Sequence, residues 1–449
     1  MPRHPSRPAA CLTGLAVGLG AAVLLPFAGG TAATAAVAAE CEPTENNRPA
    51  CPADAPAAEV SFLDATAEVT TPENVRLEPQ VFIGPFAQLA ASESAGISIG
   101  PESNVQDSVV VTAAASRDAD EQAALQAVGL SADDGVQTGE RVILAHGSSV
   151  RGPARLGVEA EGAPQPENDS GVFVSFGARV DGAVIERDSG LSALSRVGPG
   201  VRLGSGLIVL PGKNVTTQAE ADDPALGKVR PIVEADRAFN AGVVEVNVGL
   251  AREYSRLARE DATAVRGINI DPGGNVFDKE SDAPSVESAL CTGPSVREPD
   301  FRNRIIGDAC FEDSLAELDE KMGESVSIRA DEGGPFGLGT IDRMDDGVIF
   351  HALEGTDLRV GTNVTYGERA IVHGGGRPAV DPTTGLAAPT IVGDDVELGA
   401  DAVVFRSLLR NGVSVGEKSA VVGSELAVDQ EIPDRTIYAN DEVFGEVEW

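Results

Sequence analysis

The stretch Val197–Gly204 reads Val-Gly-Pro-Gly-Val-Arg-Leu-Gly, and Val392–Gly399 follows the same pattern as Val-Gly-Asp-Asp-Val-Glu-Leu-Gly. In both, an aliphatic residue followed by Gly returns after six residues. This period is typical of a parallel β-helix, in which aliphatic side chains fill a triangular prism and each coil buries its apolar face by stacking on the next. A Gly-rich β-sandwich is the alternative, but consecutive hexapeptides in phase disfavour it. We therefore predict an all-β fold of left-handed parallel β-helix type.

The hexapeptides occur in two blocks, which predicts two β-helix units in a chain of 449 residues. Between the blocks, Leu250, Tyr254 and Leu257 have helical spacing, so a helix is expected after the first unit. The predicted divisions are a signal peptide (1–39), an N-terminal arm (40–76), a first β-helix with its helix (77–260), a linker with a Cys pair (261–323) and a second β-helix (324–449).

The chain is strongly acidic, with 70 Asp and Glu against 34 Lys and Arg and a net charge of −36. Such a surface repels nucleic acid, whose affinity for proteins comes largely from neutralised phosphates. It also disfavours docking on an anionic membrane. Aromatic residues make up only 4% of the chain and 51 residues are Gly, which suits an interior of small aliphatic side chains.

The N-terminus has the features of an export signal. Basic residues precede an apolar stretch from about Cys11 to Phe27, and small residues then lead to a plausible cleavage site before Glu40. The apolar stretch is short for a membrane span. We therefore expect a secreted protein without a membrane span, with a lipid anchor at Cys41 as the minor alternative.

Four cysteines remain after the signal, an even number in an oxidising compartment, which favours disulfides. Pairs close in sequence are expected to join, namely Cys41 with Cys51 and Cys291 with Cys310. Four structural free thiols are the alternative.

Only three histidines lie beyond the signal segment: His146, His351 and His373. Three neutral imidazoles and a water form a catalytic zinc site. Iron or cobalt also tolerates three imidazoles. Because no pair has helical spacing, spacing alone leaves open that these are surface or core histidines.

Longer motifs carry a resemblance to a known family. The first block contains Leu144-Ala145-His146, preceded by Ser103–Asp107, and the second contains His351-Ala352-Leu353-Glu354 and Ile371–Gly374. Both blocks resemble gamma-class carbonic anhydrases of the archaeal prototype type. The resemblance implies a zinc enzyme that hydrates CO2 to bicarbonate and forms oligomers through β-helix faces.

The resemblance also implies a ligand set divided between the units. The family uses three zinc-binding histidines, two from one β-helix and one from its neighbour. The first block keeps His146, with Thr112 and Arg151 at the other two ligand positions. The second block keeps His351 and His373, with Glu368 at the third position. We expect His146, His351 and His373 to meet at a mixed interface; the rival is an assembly of second units in which Glu368 completes the site.

Further roles are implied by the same resemblance. Residues matching those that hydrogen-bond hydroxide and bicarbonate are Asn104, Gln106 and Asn247. Those matching proton carriers are Glu332 and Glu354, and those matching an inter-subunit salt bridge are Arg329 and Asp331. The second block departs from the pattern, because its counterparts of Asn104 and Gln106 are Arg343 and Asp345 and it lacks most of the acidic loop that usually follows the His-Ala-Leu-Glu motif.

Two other functions fit the same fold. One is a degenerate carbonic anhydrase-like scaffold kept for assembly or binding, which the substitutions at Thr112 and Arg151 favour. The other is a hexapeptide acyltransferase using acetyl-CoA, which an exported protein would rarely meet. The complementary loss of ligands in the two blocks argues against the scaffold.

Overall fold

The structure is a computed structural model that describes residues 61–158, 169–260, 302–307, 309–332, 336–353, 356–380 and 387–449. Within these ranges the chain forms two stacks of short strands, and each stack has three sheets. Each sheet takes one strand from each successive coil, and nearly all neighbouring strands are parallel. The predicted all-β fold of two left-handed parallel β-helix units is confirmed.

The first unit is a triangular prism with faces 1A, 1B and 1C. Face 1A consists of Phe62–Leu63, Phe82–Ile83, Asn104–Val105, Val142–Leu144, Val172–Val174, Ser189–Leu191, Leu207–Val209 and an antiparallel last strand Val229–Pro231. Face 1B consists of Glu68–Thr70, Gln88–Ala90, Val110–Thr112, Ser149–Arg151, Arg179–Asp181, Arg196–Val197 and Asn214–Val215. Face 1C consists of Val75–Leu77, Ile97–Ile99, Val136–Thr138, Ala154–Leu156, Val184–Ile185 and Arg202–Leu203.

The second unit repeats this plan with faces 2A, 2B and 2C. Face 2A consists of Arg304–Gly307, Ser327–Ala330, Ile349–Ala352, Ile371–Gly374, Val403–Phe405, Ala420–Val422, Thr436–Ala439 and the antiparallel Glu442–Glu446. Face 2B consists of Ala309–Phe311, Phe336–Leu338, Leu358–Val360, Thr390–Val392, Leu408–Leu409 and Glu425–Leu426. Face 2C consists of Ile341–Met344, Val364–Tyr366, Glu397–Leu398, Ser414–Val415 and Glu431–Ile432, and a separate antiparallel pair joins Arg377–Val380 to Ala387–Ala388.

Four α-helices accompany the strands in the described part of the chain. They are α1 (Ala119–Ala127), α2 (Gln218–Asp222), α3 (Glu234–Glu260) and α4 (Leu315–Lys321), with short 3-10 turns at Pro72–Asn74, Ala132–Asp134 and Pro224–Leu226. The predicted helix after the first unit is α3. Glu234 and Asp236 lie in its first turn, where negative charge is favourable beside the helix N-terminus.

Both units begin earlier than the sequence predicted. The strands at 62–77 pair with later coils of the first prism, as Phe62 does with Phe82, so the boundary at 77 is wrong. The second prism likewise begins with the strand Arg304–Gly307, and the boundary at 324 is also wrong. The first coil of the first unit lacks an aliphatic-Gly pair, and the second unit has the single pair Ile306-Gly307 there, so no hexapeptide repeat marks these coils.

The predicted signal peptide and the two predicted disulfides involve residues that the structure does not describe. The signal segment, Cys41, Cys51 and Cys291 lie outside the described residues. Cys310 is disulfide-bonded, and because its expected partner is not described, both pairings stay predictions. Among the described residues, no helix is long and apolar enough to cross a membrane.

Face 1A of the first unit packs against face 2A of the second. Side chains on the outside of both faces form one apolar cluster, to which face 1A contributes Ile143 and face 2A contributes Ile349, Ile371 and Val403. Helix α3 contributes Val243 and Val244 to the same cluster. The residues that alternate with these point into their own prisms, which explains why strands of faces 1A and 2A are buried on both sides.

The end of the chain adds a second contact between the units. The indole Nε1 of Trp449 donates to the carbonyl of Leu194 at 2.7 Å, and its ring lies against Arg179 and Lys418. Glu448 pairs with Lys213 of the first unit at 3.0 Å. The two prisms are therefore joined along faces 1A and 2A and again at the end of the stack.

We predict that Gly100→Ala destabilises the first unit, whereas Gly204→Ala has little effect. Both glycines follow a strand of face 1C. A Cβ at Gly100 would lie 2.1 Å from the carbonyl oxygen of Gly139 on the next coil. Gly204 follows the last strand of the sheet, and a Cβ there would meet nothing within 4 Å. We expect a loss of about 1–3 kcal/mol for Gly100→Ala in urea denaturation. Equal stability of the two variants would contradict close coil stacking as the reason for glycine.

Candidate metal centre

The structure brings His146, His351 and His373 together within one chain. His146 follows the strand Val142–Leu144 at a corner of the first prism. His351 and His373 lie on adjacent strands of face 2A and are paired in register, which places their side chains side by side. The ring centroids are 4.9–5.2 Å apart, and one nitrogen from each ring lies within 4.8 Å of the others.

The imidazole of His146 is held from one side. Its Nδ1 lies 3.1 Å from Oδ2 of Asp107, and its Nε2 lies 3.1 Å from Nδ1 of His351. A carboxylate on one ring nitrogen fixes the tautomer and directs the other nitrogen, which is the usual arrangement of a metal-binding histidine.

The other two imidazoles have the same arrangement. His373 Nδ1 hydrogen-bonds to the carbonyl of Gly374, which requires the proton on Nδ1 and leaves Nε2 as an acceptor. His351 turns Nε2 toward Glu332 Oε1 at 3.1 Å and Asp331 Oδ1 at 3.3 Å. Its Nδ1 faces His146. Each ring therefore has one nitrogen near an oxygen and one directed into the cluster.

The charge around the cluster also suits a divalent metal ion. Asp107, Asp331 and Glu332 are buried beside the histidines, and Arg329 is the cation that contacts both aspartates. Three carboxylates against one guanidinium give these four groups a formal charge of minus two. A buried charge needs compensation, and a divalent cation among the imidazoles would supply it.

Burial and the neighbouring charges set the protonation of the three rings. Burial lowers the pKa of His146 to about 4, although Asp107 opposes the change. Burial, with repulsion from His351 and His146, lowers the pKa of His373 well below its usual value. Burial and Arg329 also lower the pKa of His351, but Glu332 and Asp331 outweigh them and raise it to about 9. At neutral pH His146 and His373 are therefore neutral, as a metal ligand must be, whereas His351 is protonated and a metal ion would have to displace its proton.

Arg329 joins the units directly beneath the histidines. Its Nε lies 3.0 Å from Oδ2 of Asp107 in the first unit, and its Nη1 lies 2.6 Å from Oδ2 of Asp331 in its own unit. The expected pair of Arg329 and Asp331 is therefore present, but within one unit, and Asp107 makes the contact between units. Burial raises the pKa of Asp107, but Arg329 and His146 lower it more, so Asp107 stays ionised.

The three amide side chains are buried at the same interface. Asn104 is fully buried, and neither polar atom of its amide has a hydrogen-bond partner among the described residues. Asn247, on α3, donates to the carbonyl of Val243, and its Oδ1 has no partner within the part of the chain that the structure describes. Gln106 directly precedes Asp107 and is 5% exposed. Buried polar atoms without partners are costly and uncommon, so the amides of Asn104 and Asn247 are suited to bind a small polar ligand.

Two aromatic side chains that the sequence analysis missed border the cluster. The ring centroid of Phe176, from the first unit, lies 4.9 Å from that of His373, and Phe405 lies 5.4 Å from His373 on the adjacent strand. These rings give the site an apolar wall contributed by both units. No sequence signal marks Phe176. Phe405 could have been found, because it follows His373 by one coil.

The other positions implied by the resemblance lie away from the cluster. Arg151 is exposed and its guanidinium lies 3.4 Å from Asp181, while Thr112 is half-buried on the neighbouring strand. Glu368 is exposed, forms an ion pair with Arg369 and lines a surface hollow together with Arg343 and Asp345. Glu354 lies outside the described residues.

Comparison with known proteins gives partial matches. Over 113 residues the chain is 31% identical to a carbonic anhydrase of Methanosarcina thermophila, a match covering 24% of this chain and 46% of that protein. Over 125 residues it is 29% identical to the carboxysome assembly protein CcmM of a Nostoc species, covering 26% of this chain and 20% of that protein. A quarter of the chain is thus similar to a carbonic anhydrase. The chain spans about half the length of that relative and a fifth of the assembly protein.

Solved structures show weaker likeness. A hexapeptide transferase family protein from Anaplasma phagocytophilum has 17% identity and a TM-score of 0.17, covering 42% of this chain and 90% of its own. A putative acetyltransferase from Desulfovibrio desulfuricans has 11% identity and a TM-score of 0.20, covering 83% of this chain and 65% of its own. No model of a protein family matches the chain.

We predict that His146→Ala loses a bound divalent metal, whereas Glu368→Ala retains it. His146 directs a ring nitrogen into the buried cluster, while the Glu368 carboxylate is 54% exposed and pairs with Arg369. The measurement is metal content by elemental analysis after removal of loosely bound ions. Retention by His146→Ala together with loss by Glu368→Ala would favour the rival site formed between second units.

Proposed function

We propose that this protein is a zinc-dependent carbonic anhydrase, with one active site between its two β-helix units. The reaction is the reversible hydration of CO2, in which water adds to CO2 to give bicarbonate and a proton. One observation carries the proposal: three buried imidazoles from both units converge, and each has its second nitrogen near an oxygen. The partial similarity to a carbonic anhydrase supports it.

The residues present fit zinc, which commonly takes three imidazoles in catalytic sites. Nitrogens of His146, His351 and His373 would hold the ion. A zinc ion held there would supply the Lewis acidity that makes hydroxide available near neutral pH. Asp107 and the carbonyl of Gly374 orient two of the rings before any ion arrives. A site organised in advance reduces the rearrangement needed for catalysis.

The remaining side chains suit the substrate and product. CO2 is apolar, and the rings of Phe176 and Phe405 provide an apolar surface beside His373. Bicarbonate is a hydrogen-bonding anion, and the amides of Asn104 and Asn247 have unused hydrogen-bonding atoms at this interface. These residues are proposed to bind and orient reactant and product while the apolar contacts around them exclude bulk water.

The proton produced in hydration must leave a buried site. Glu332 is 3% exposed and its Oε1 lies 3.1 Å from His351, so it is placed to accept a proton near the cluster. Glu354, implied by the same resemblance, would continue the path toward solvent. Carboxylates relay protons efficiently when they lie within hydrogen-bond reach of one another or of an intervening water.

A non-catalytic scaffold is the second candidate. The substitutions at Thr112 and Arg151 favour it, and other relatives of this chain are carboxysome assembly proteins. Such a protein need not retain a complete ligand set. The convergence of all three histidines in one buried cluster supports the enzyme instead. Export, indicated by the N-terminal segment, would place the activity outside the cytoplasm.

We predict that the purified protein binds one zinc ion per chain and accelerates CO2 hydration. His373→Ala should lose both properties, because His373 contributes a buried ring nitrogen to the cluster. Thr112→Ala is the matched control: it changes the residue at the corresponding ligand position of the first unit and should retain zinc and rate. Stopped-flow hydration with a pH indicator and elemental analysis measure the two properties. Tightly held zinc without CO2 hydration would favour the scaffold, and two zinc ions per chain would contradict a single site.

A further inference from the structure

We propose that Tyr254, on helix α3, is a positioning residue for the metal centre. Its hydroxyl fixes the carboxylate of Asp331, and Asp331 in turn orients His351. The inference rests on the proposed function only in requiring that the three histidines bind a metal ion. It assigns to a helix of the first unit a part in orienting a ligand of the second unit.

The ring of Tyr254 is fixed by apolar contacts. It is 1% exposed and stacks on Phe62 with ring centroids 5.1 Å apart, and Phe82 lies 6.1 Å away. Leu250 on the preceding turn of α3 and Ile306 of the second unit belong to the same cluster. Because these contacts fix the ring, they also fix the position of its hydroxyl oxygen.

That hydroxyl donates to Oδ2 of Asp331. The same oxygen accepts from Nη1 of Arg329 at 2.6 Å, while Oδ1 lies 3.3 Å from Nε2 of His351. Two donors on Oδ2 hold the carboxylate plane, and Oδ1 is then directed at the imidazole. With the hydroxyl removed, Arg329 alone would hold Oδ2, and the carboxylate could rotate away from His351.

Two carboxylates, those of Asp331 and Glu332, lie beside Nε2 of His351. Its ring turns Nε2 toward Asp331 and Glu332 and Nδ1 toward His146. Outer partners of this kind fix the orientation of a ligand and typically change metal affinity by about 10- to 100-fold when removed. Burial and the Asp331 charge raise the pKa of Tyr254 well above its usual value, so its hydroxyl keeps the proton that it donates.

The test compares Tyr254→Phe with Tyr366→Phe in the full chain. Phenylalanine keeps the ring and its packing and removes the hydroxyl alone. Tyr366 is an equally buried tyrosine, in the interior of the second unit. Zinc dissociation constants are measured by competition with a chelator, and the absorption of the Co2+ form reports the geometry of the ligands. We expect zinc binding about 10- to 100-fold weaker and an altered Co2+ spectrum for Tyr254→Phe, with neither change for Tyr366→Phe.

A double-mutant cycle checks that the effect passes through Asp331. If it does, Tyr254→Phe combined with Asp331→Asn loses no more zinc affinity than Asp331→Asn alone, because the two changes remove parts of one interaction. Unchanged affinity and spectrum in Tyr254→Phe, or fully additive losses in the double variant, would overturn the proposal. Weakened zinc binding in a protein that does not hydrate CO2 would support this inference and reject the enzyme. Absence of zinc binding in the unaltered protein would reject both.

Discussion

The ion pair between Arg329 and Asp107 determines how the two units meet. Both groups are buried, and they belong to different β-helices. The apolar contacts between faces 1A and 2A are not directional, so they would tolerate a shift of one prism along the other. A shift would instead separate a buried guanidinium from a buried carboxylate of the other unit, and breaking such a pair typically costs about 3–5 kcal/mol. Together with the buried pair of Arg304 and Asp64 at 2.9 Å, which also joins the two units, this ion pair disfavours such a shift.

The same two groups connect that alignment to the metal centre. Asp107 contacts Arg329 with both carboxylate oxygens and lies beside Nδ1 of His146. Arg329 also holds Asp331, which faces His351. A continuous buried chain thus runs from the histidine of the first unit to a histidine of the second. His373 needs no separate alignment, because the strand register places it beside His351. The packing of the two units against each other therefore also brings the three histidines together.

The sequence predicted the parts of this arrangement that repeat or that carry a motif. Regular aliphatic-Gly pairs identify the coils of both prisms, and helical spacing identifies α3. The first coil of each unit escaped this pattern, and there Phe62 packs under α3 and Ile306 belongs to the same cluster. The side chains of these coils fit contacts with residues that are distant in the sequence. A local sequence pattern carries no information about such contacts.

The candidate site shows the same division. The histidines were recognised because they are few and lie within motifs, and the resemblance implied their grouping. The contacts of Phe176 and Tyr254 with the site depend on how one unit faces the other, and this is a property of tertiary packing. Asp107 lies within a quoted motif beside Gln106, but its role becomes evident only when Arg329 of the other unit is seen in contact with it.

The side chains at two positions that the resemblance matches to ligands, Arg151 and Glu368, support the proposal of one metal ion per chain. In the first unit, Arg151 points to solvent and its charge is met by Asp181, which also pairs with the buried Arg117. In the second, Glu368 is exposed and paired with Arg369. Neither position offers a buried neutral nitrogen. Each of the two side chains already forms an ion pair at the solvent-exposed surface, where ion pairs contribute little stability. Metal binding at either position would have to displace these partners and recruit ligands from another molecule. At the interface between the units, the three imidazoles and the oxygen atoms beside them are already in place, and the neighbouring carboxylates and guanidinium give a formal charge of minus two. The structure therefore favours a metal site there over one at Arg151 or at Glu368.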